Sequence, residues 1–198
     1  MGKVLLALLV GLVGAAIVHI AVILAMPRVA EDNAWARLSR VTSPFQAAVI
    51  WEGGGLPAAG PMRARFAFMD PAFITSACRF PLADGPVHLE AGEAAGFWSA
   101  SLYARSGDNL YSINERLAPD GQLDLVVGTA AQLEDARAEG LLGDDGAIPI
   151  GVEASELYLT LRVLAPTASE RPFAERFARS LSCIPVEPAA AAPLAEAD

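Results

Sequence analysis

Hydrophobic and polar positions follow three regimes along the chain. Val4 to Met26 is an unbroken run of 23 residues without a formal charge. As a helix it extends about 34 Å, against roughly 30 Å for the hydrocarbon core of a bilayer. Pro27 closes it. Val29, Trp35, Leu38 and Val41 then recur among charges over residues 28–42, which predicts a short juxtamembrane helix with Trp35 near the membrane interface. Gly53, Gly54, Gly55, Pro57, Gly60 and Pro61 read as a loop.

From Met62 the dominant period is two. Met62, Ala64, Phe66 and Phe68 alternate with Arg63 and Arg65, and Leu157, Leu159, Leu161 and Val163 alternate with Tyr158, Thr160 and Arg162. Further strands are predicted near 74–80, 87–91, 96–105, 109–114, 122–128 and 148–153, separated by turn chemistry such as Asp84-Gly85-Pro86 and Pro119-Asp120-Gly121. Two helices interrupt them. One covers about 130–139; the other follows Ser169 as N-cap and lays Phe173, Phe177 and Leu181 on the sheet. The predicted fold is mainly β: an antiparallel β-sandwich or jelly-roll-like domain with two short helices, plus one N-terminal transmembrane helix. The chain divides into an anchor (1–27), a juxtamembrane helix and Gly/Pro linker (28–61), the β domain (62–184) and a flexible Pro/Ala-rich tail (185–198).

The apolar run has two readings, a retained anchor or a cleaved signal peptide. Secretory apolar cores run about 7–15 residues, and no good small-x-small site follows directly, so length favours the anchor. Orientation is a contest. Arg28, Arg37 and Arg40 weakly favour a cytoplasmic domain by charge counting, but large domains translocate largely regardless of charge. Cys78 and Cys183 bracket the β domain without a C-x-x-C motif, which argues against redox-motif or zinc-ribbon roles. They are expected to form a disulfide tying the last helix to an early strand, against the alternative of two buried free thiols. That expectation places the domain on the oxidising side of the inner membrane, in the periplasm.

Charge narrows the partners. Fourteen Lys and Arg against 23 Asp and Glu give a net charge of −9, so nucleic acid is not an expected partner. Two His leave little for a metal site, and no metal or cofactor is expected. No nucleophile elbow, zinc-protease helix, phosphate loop or dinucleotide fingerprint occurs. His88 with Glu90 or Asp84 has the makings of a general base, but on an alternating strand it reads better as a surface side chain. Asp144 and Asp145 between glycines depart from the calcium-loop spacing and read as a solvated turn. In the anchor, Ala7, Gly11, Ala15 and His19 share one helical face. Small residues there permit close approach of a second helix, and a histidine in lipid needs a polar partner.

The most distinctive stretch runs from Gly96 to Arg116. Phe97, Ser99, Ser101 and Tyr103 face one way on a strand, and Trp98, Ala100 and Leu102 the other. A hairpin through Asn109, Tyr111 and Asn114 follows, its geometry expected to be set by a buried network through Asn114 and Arg116. Trp98, Tyr103, Asn109, Tyr111, Asn114 and Arg116 are the candidate ligand-binding residues.

Here the chain resembles a family. Asp70-Pro71-Ala72-Phe73, Cys78-Arg79, Gly85-Pro86, Phe97-Trp98-Ser99, Leu102-Tyr103, Asn109, Tyr111-Ser112-Ile113-Asn114 and Arg116 are similar to the bacterial domain-of-unknown-function families DUF1254 and DUF1214, in their short membrane-anchored form. The resemblance covers roughly residues 62–184. A terminal Cys in the position of Cys183 fits that short form. The resemblance implies a β-sandwich carried on an N-terminal helix and, because larger relatives join two domains in one chain, a second small membrane protein of the same family as partner. It carries over no catalytic residues. The expected function is therefore a non-enzymatic binding or accessory module of the cell envelope. The competing reading is an envelope hydrolase using the Trp98–Arg116 hairpin face, against which the missing nucleophile and metal signatures weigh.

Overall fold

The computed structural model describes residues 1–29, 33–53, 69–92, 96–142 and 147–186. The strand expected at 62–68, most of the Gly/Pro loop, Asp144, Asp145 and the tail beyond Val186 lie outside the described residues.

Four helices are described: α1 (Gly2–Val29), α2 (Ala34–Ser39), α3 (Ala130–Ala138) and α4 (Arg171–Arg179). Among the described residues nine strands form two sheets. They are β1 (Ala48–Trp51), β2 (Phe73–Pro81), β3 (Val87–Glu90), β4 (Trp98–Ala104), β5 (Asn109–Asn114), β6 (Asp124–Gly128), β7 (Ile148–Gly151), β8 (Glu156–Leu164) and β9 (Ser182–Pro185). Sheet A has the order β1-β2-β8-β4-β5, and sheet B the order β7-β6-β3-β9.

Alternation builds the core. Ile74, Cys78 and Phe80 on β2, Leu157, Leu159, Leu161 and Val163 on β8, and Trp98, Ala100 and Leu102 on β4 face inward at 1% exposure or less. They meet Val87, Leu89, Leu125 and Val127 of sheet B. The long antiparallel register of β2 on β8, from Phe73 opposite Leu164 to Pro81 opposite Glu156, puts every inward residue of one strand beside an inward residue of the other. α4 covers more of the same inner face, with Ala174, Phe177 and Ala178 buried.

Several expectations change. β6 and β7 pair in parallel, so sheet B is mixed rather than purely antiparallel. A parallel pair needs a crossover connection, and α3 supplies it. Its N-terminus is set by a reciprocal cap: Thr129 Oγ1 accepts from the Gln132 N–H, and Gln132 Oε1 accepts from the Thr129 N–H. β1 lies within the stretch expected to be linker, and the domain therefore begins before residue 62. β9 carries the domain through Val186, whose N–H donates to Pro86, so residue 185 is paired strand rather than tail. α4 is capped at Glu170 without a side-chain bond, while the Ser169 hydroxyl engages Thr167 instead. Phe177 and Leu181 are buried as expected, but Phe173 is 56% exposed.

The segment after α1 is also placed differently. Trp35 is 8% exposed and Leu38 1%, packed with Ile50, Ala77 and Tyr158 against the outer face of sheet A rather than facing a membrane interface. Asn33 caps α2, its Oδ1 accepting from the Ala36 N–H at 2.8 Å.

Gly53 ends the described stretch after β1 with φ +68°, and an added Cβ would stand 2.8 Å from the Phe73 carbonyl oxygen and 2.9 Å from that of Pro71. Those are backbone atoms that cannot swing aside. Gly53→Ala is expected to cost about 1–3 kcal/mol, read as a lower urea midpoint at unchanged m-value.

Candidate functional site

The β4–β5 hairpin forms with the expected division of sides, but its six candidate residues do not converge. Trp98 is a core side chain: fully buried, its Nε1–H donating to the Gly121 carbonyl at 3.0 Å, its ring 6.0 Å from that of Phe177. Tyr111 is half-buried and packs against the same core. Tyr103 lies on the opposite, outer face, stacked on Tyr158 with centroids 5.1 Å apart. On that face Asn109 bonds Ser112, and the Ser112 hydroxyl meets that of Ser101 at 3.0 Å.

The buried network expected through Asn114 and Arg116 is not what holds the hairpin. Asn114 Oδ1 instead accepts from the N–H groups of Arg116 and Leu117, a local turn bond. Arg116 has an 84% exposed side chain, 3.4 Å from Glu115. A short polar side chain after a strand satisfies its own turn before it can reach across the sheet. The bonds at this turn are local and exposed, and beside them Glu115 Oε2 is buried without a hydrogen-bond partner.

Sequence reasoning missed an aromatic–guanidinium stack beside this hairpin. The Trp35 ring is flanked by Arg79 (5.6 Å) and Arg105 (5.8 Å) and lies 6.4 Å from Tyr158. Arg79 also donates through Nε and Nη2 to the Thr42 carbonyl at 3.0 and 2.9 Å, and Arg105 pairs with Glu156 at 2.5 Å. The ends of α2 are thereby riveted to β2, β8 and the turn after β4. Burial, with a smaller contribution from neighbouring Tyr103, pushes the Tyr158 hydroxyl up to about 12. Because the folded value lies above the unfolded one, the fold favours the protonated phenol. Stability is expected to be intact below about pH 10 and to fall by on the order of 2–3 kcal/mol as pH rises to about 12. Tyr158→Phe is expected to remove that part of the alkaline loss in urea melts across the range.

His88 pairs with neither Glu90 nor Asp84. Its Nε2 sits 2.7 Å from Asp124 Oδ1, across from the neighbouring strand β6. No nucleophilic side chain bonds to the pair among the described residues, and an imidazole–carboxylate contact alone positions charge without supplying a reaction. Among the described residues no three His, Cys, Asp or Glu side chains gather to hold a metal ion.

The cysteines are bonded. Cys78 on β2 and Cys183 on β9 form a disulfide with Cα atoms 6.6 Å apart. It joins strand to strand across the two sheets, rather than the last helix to a strand. In α1, Ala7, Gly11, Ala15 and His19 share a face that is exposed to its surroundings along its length.

Concave surface occurs elsewhere. A cleft of about 210 Å³ is lined by Gly96, Phe97, Leu164, Pro166, Glu170 and Phe173, between the start of β4, the end of β8 and the entry to α4. A second, about 360 Å³, lies between β1 and α4 beside Ala47, Ala48, Val49, Ala178 and Arg179. None of the six hairpin candidates lines either one. The first cleft left one trace in the sequence: Phe173, four residues before Phe177, extends the buried helical stripe past the edge of the sheet.

Fold and site together define a mainly β protein of two sheets with one N-terminal apolar helix long enough to cross a membrane. Comparison with family models and with curated proteins finds no match. Among solved structures the chain is similar to the VPA0106 protein from Vibrio parahaemolyticus, with a TM-score of 0.50 at 9% identity over 59% of this chain and 28% of that one. An uncharacterised protein from Burkholderia cenocepacia aligns over 61% of this chain and 31% of its own, with a TM-score of 0.38 and 13% identity. The chain thus spans under a third of the length of each of these neighbours. The first likeness shows the β-rich fold and nothing further.

Proposed function

We propose that this is a single-pass inner-membrane protein whose β-sandwich faces the periplasm and serves as a non-enzymatic binding or accessory module of the cell envelope. One observation carries the reading: none of the apolar window in Gly2–Met26 is buried within the chain. An apolar surface of that size needs lipid or another helix. The disulfide across the sheets supports an oxidising compartment, where such bonds persist. The failure of the hairpin residues to converge on one site supports binding or structure over hydrolysis there. The resemblance to the short form of DUF1254 and DUF1214 supports a second small membrane protein of the same family as partner.

The cleft at Phe97 and Phe173 is the surface we assign to that partner. At about 210 Å³ it falls below the roughly 300–1,000 Å³ of small-molecule sites, and it suits an apolar side chain of a protein neighbour. A C-terminal reporter active only in the cytosol is expected to stay dark, and a lit reporter overturns the placement. Phe173→Asp is expected to leave the melting temperature within about 2 °C, because the ring is exposed, and to remove the partner captured by wild-type protein in detergent. Retention of that partner by the variant rejects the cleft as its site.

A further inference from the structure

Three phenylalanines cluster at the cleft of about 210 Å³. Phe97 and Phe173 line it, and Phe73 meets Phe97 edge to face with ring centroids 6.3 Å apart. Two of the three rings already carry a guanidinium: Arg162 lies 4.3 Å over Phe73, and Arg176 lies 5.4 Å over Phe173. Among the described residues no cation lies over Phe97, although that residue is 37% exposed.

The negative charge of the cleft is also unbalanced. Glu170 is the one charged residue among those described that line it. Its carboxylate accepts from the Thr167 hydroxyl at 2.6 Å and makes no ion pair among the described residues. The nearby arginines of α4 are engaged elsewhere, Arg171 with Glu175 at 2.9 Å and Arg176 on the Phe173 ring. A carboxylate has about four lone-pair sites, so one hydroxyl leaves it open to a cation.

A bare phenyl face and a carboxylate without a counter-charge therefore share one cleft. We propose that the partner side chain seated there is basic, a lysine or arginine. Its methylene stem lies along Phe97 and Phe173, and its charged end meets Glu170. This rests on the reading of the cleft as the partner's site. The net charge of −9 also draws a basic segment in from a distance. Both contacts are solvent-facing, so together they favour a charged occupant over an uncharged one by about fivefold, and salt screens the difference.

The test uses the full chain in nonionic detergent, with a fluorine label on the Phe173 ring read by NMR. The probes are N-acetyl-lysine amide, N-acetyl-arginine amide and N-acetyl-norleucine amide, the last a lysine-like stem without its charge. A basic probe is expected to bind about fivefold more tightly than norleucine at low salt, with the gap closing at high salt. Glu170→Gln is expected to cut that preference to about twofold, and Phe97→Leu to lower it as well. Both variants are expected to keep the wild-type melting temperature, because both side chains are exposed. Norleucine binding as tightly as both basic probes overturns the basic assignment and leaves the cleft as the partner's site. Silence from all three probes, while Phe173→Asp still loses its captured partner, does the same. Silence together with a retained partner overturns both readings.

Discussion

Removing the disulfide with Cys78→Ala and Cys183→Ala is expected to lower the melting temperature of the domain by on the order of 20 °C. The bond closes a loop of sequence separation 105, and the chain-entropy model assigns a loop of that size about 4–5 kcal/mol. For a domain of this size each kcal/mol corresponds to several degrees. The position of the bond strengthens the expectation. Cys183 sits on β9, a four-residue edge strand held on one side by β3 and otherwise by this crosslink to β2 in the other sheet. Loss of the bond is therefore expected to show first as faster amide exchange across Ser182–Pro185, with β2 and β8 protected longer. Scanning calorimetry and exchange mass spectrometry on oxidised, reduced and double-Ala protein check both parts. A melting temperature unchanged on reduction would sink the entropic account.

Trp98→Ala is expected to cost about 3–5 kcal/mol, the other large effect. Trp98 is the largest fully buried side chain, placed between Phe177 of α4 and the inner faces of both sheets. Truncation leaves a cavity at the junction of three elements and takes the donor from the Gly121 carbonyl. Trp98→Phe keeps most of the packing and is expected to cost about 1–2 kcal/mol, mainly through the lost bond. Denaturant melts of the two variants separate packing from hydrogen bonding. The same pair distinguishes a core residue from a ligand contact. If Trp98 contacted ligand instead, Trp98→Ala would lower binding at nearly unchanged stability.

The strands of the central part of the sandwich were legible because their burial has period two. Leu157, Leu159, Leu161 and Val163 pack inward whatever they meet, so alternation announces the element before its neighbour is known. Short edge strands gave less. Ala48-Val-Ile-Trp51 and Ser182-Cys-Ile-Pro185 are too brief to set a period, and each is a strand only because a neighbour, β2 or β3, offers it a ladder. The parallel pairing of β7 leaves no local mark either, since four residues read the same in both directions.

Trp35 shows why the site was harder to read than the fold. A tryptophan among arginines just past a membrane-length helix looks the same in sequence whether it floats at the lipid interface or wedges under a sheet. Arg79, Arg105 and Tyr158, which decide the matter, are contributed by β2, by the turn after β4 and by β8. The hairpin residues misled in the opposite way. Trp98, Tyr103 and Asn114 share a distinctive stretch of sequence, yet the pleat sends Trp98 inward and Tyr103 outward, and the turn claims Asn114. The cleft between Phe97 and Phe173 joins residues far apart in the chain, so only the docking of α4 on sheet A creates it.

By itself, then, the amino-acid order determined the long apolar helix, the mainly β architecture and the identity of the inward residues, because length, hydropathy and period are local properties of a chain. The pairing of sheets, the crossing of the disulfide between them and the riveting of α2 were decided by the tertiary structure. Each of those depends on which surfaces meet, and residues distant in sequence acquire a common face only when the sheets have stacked.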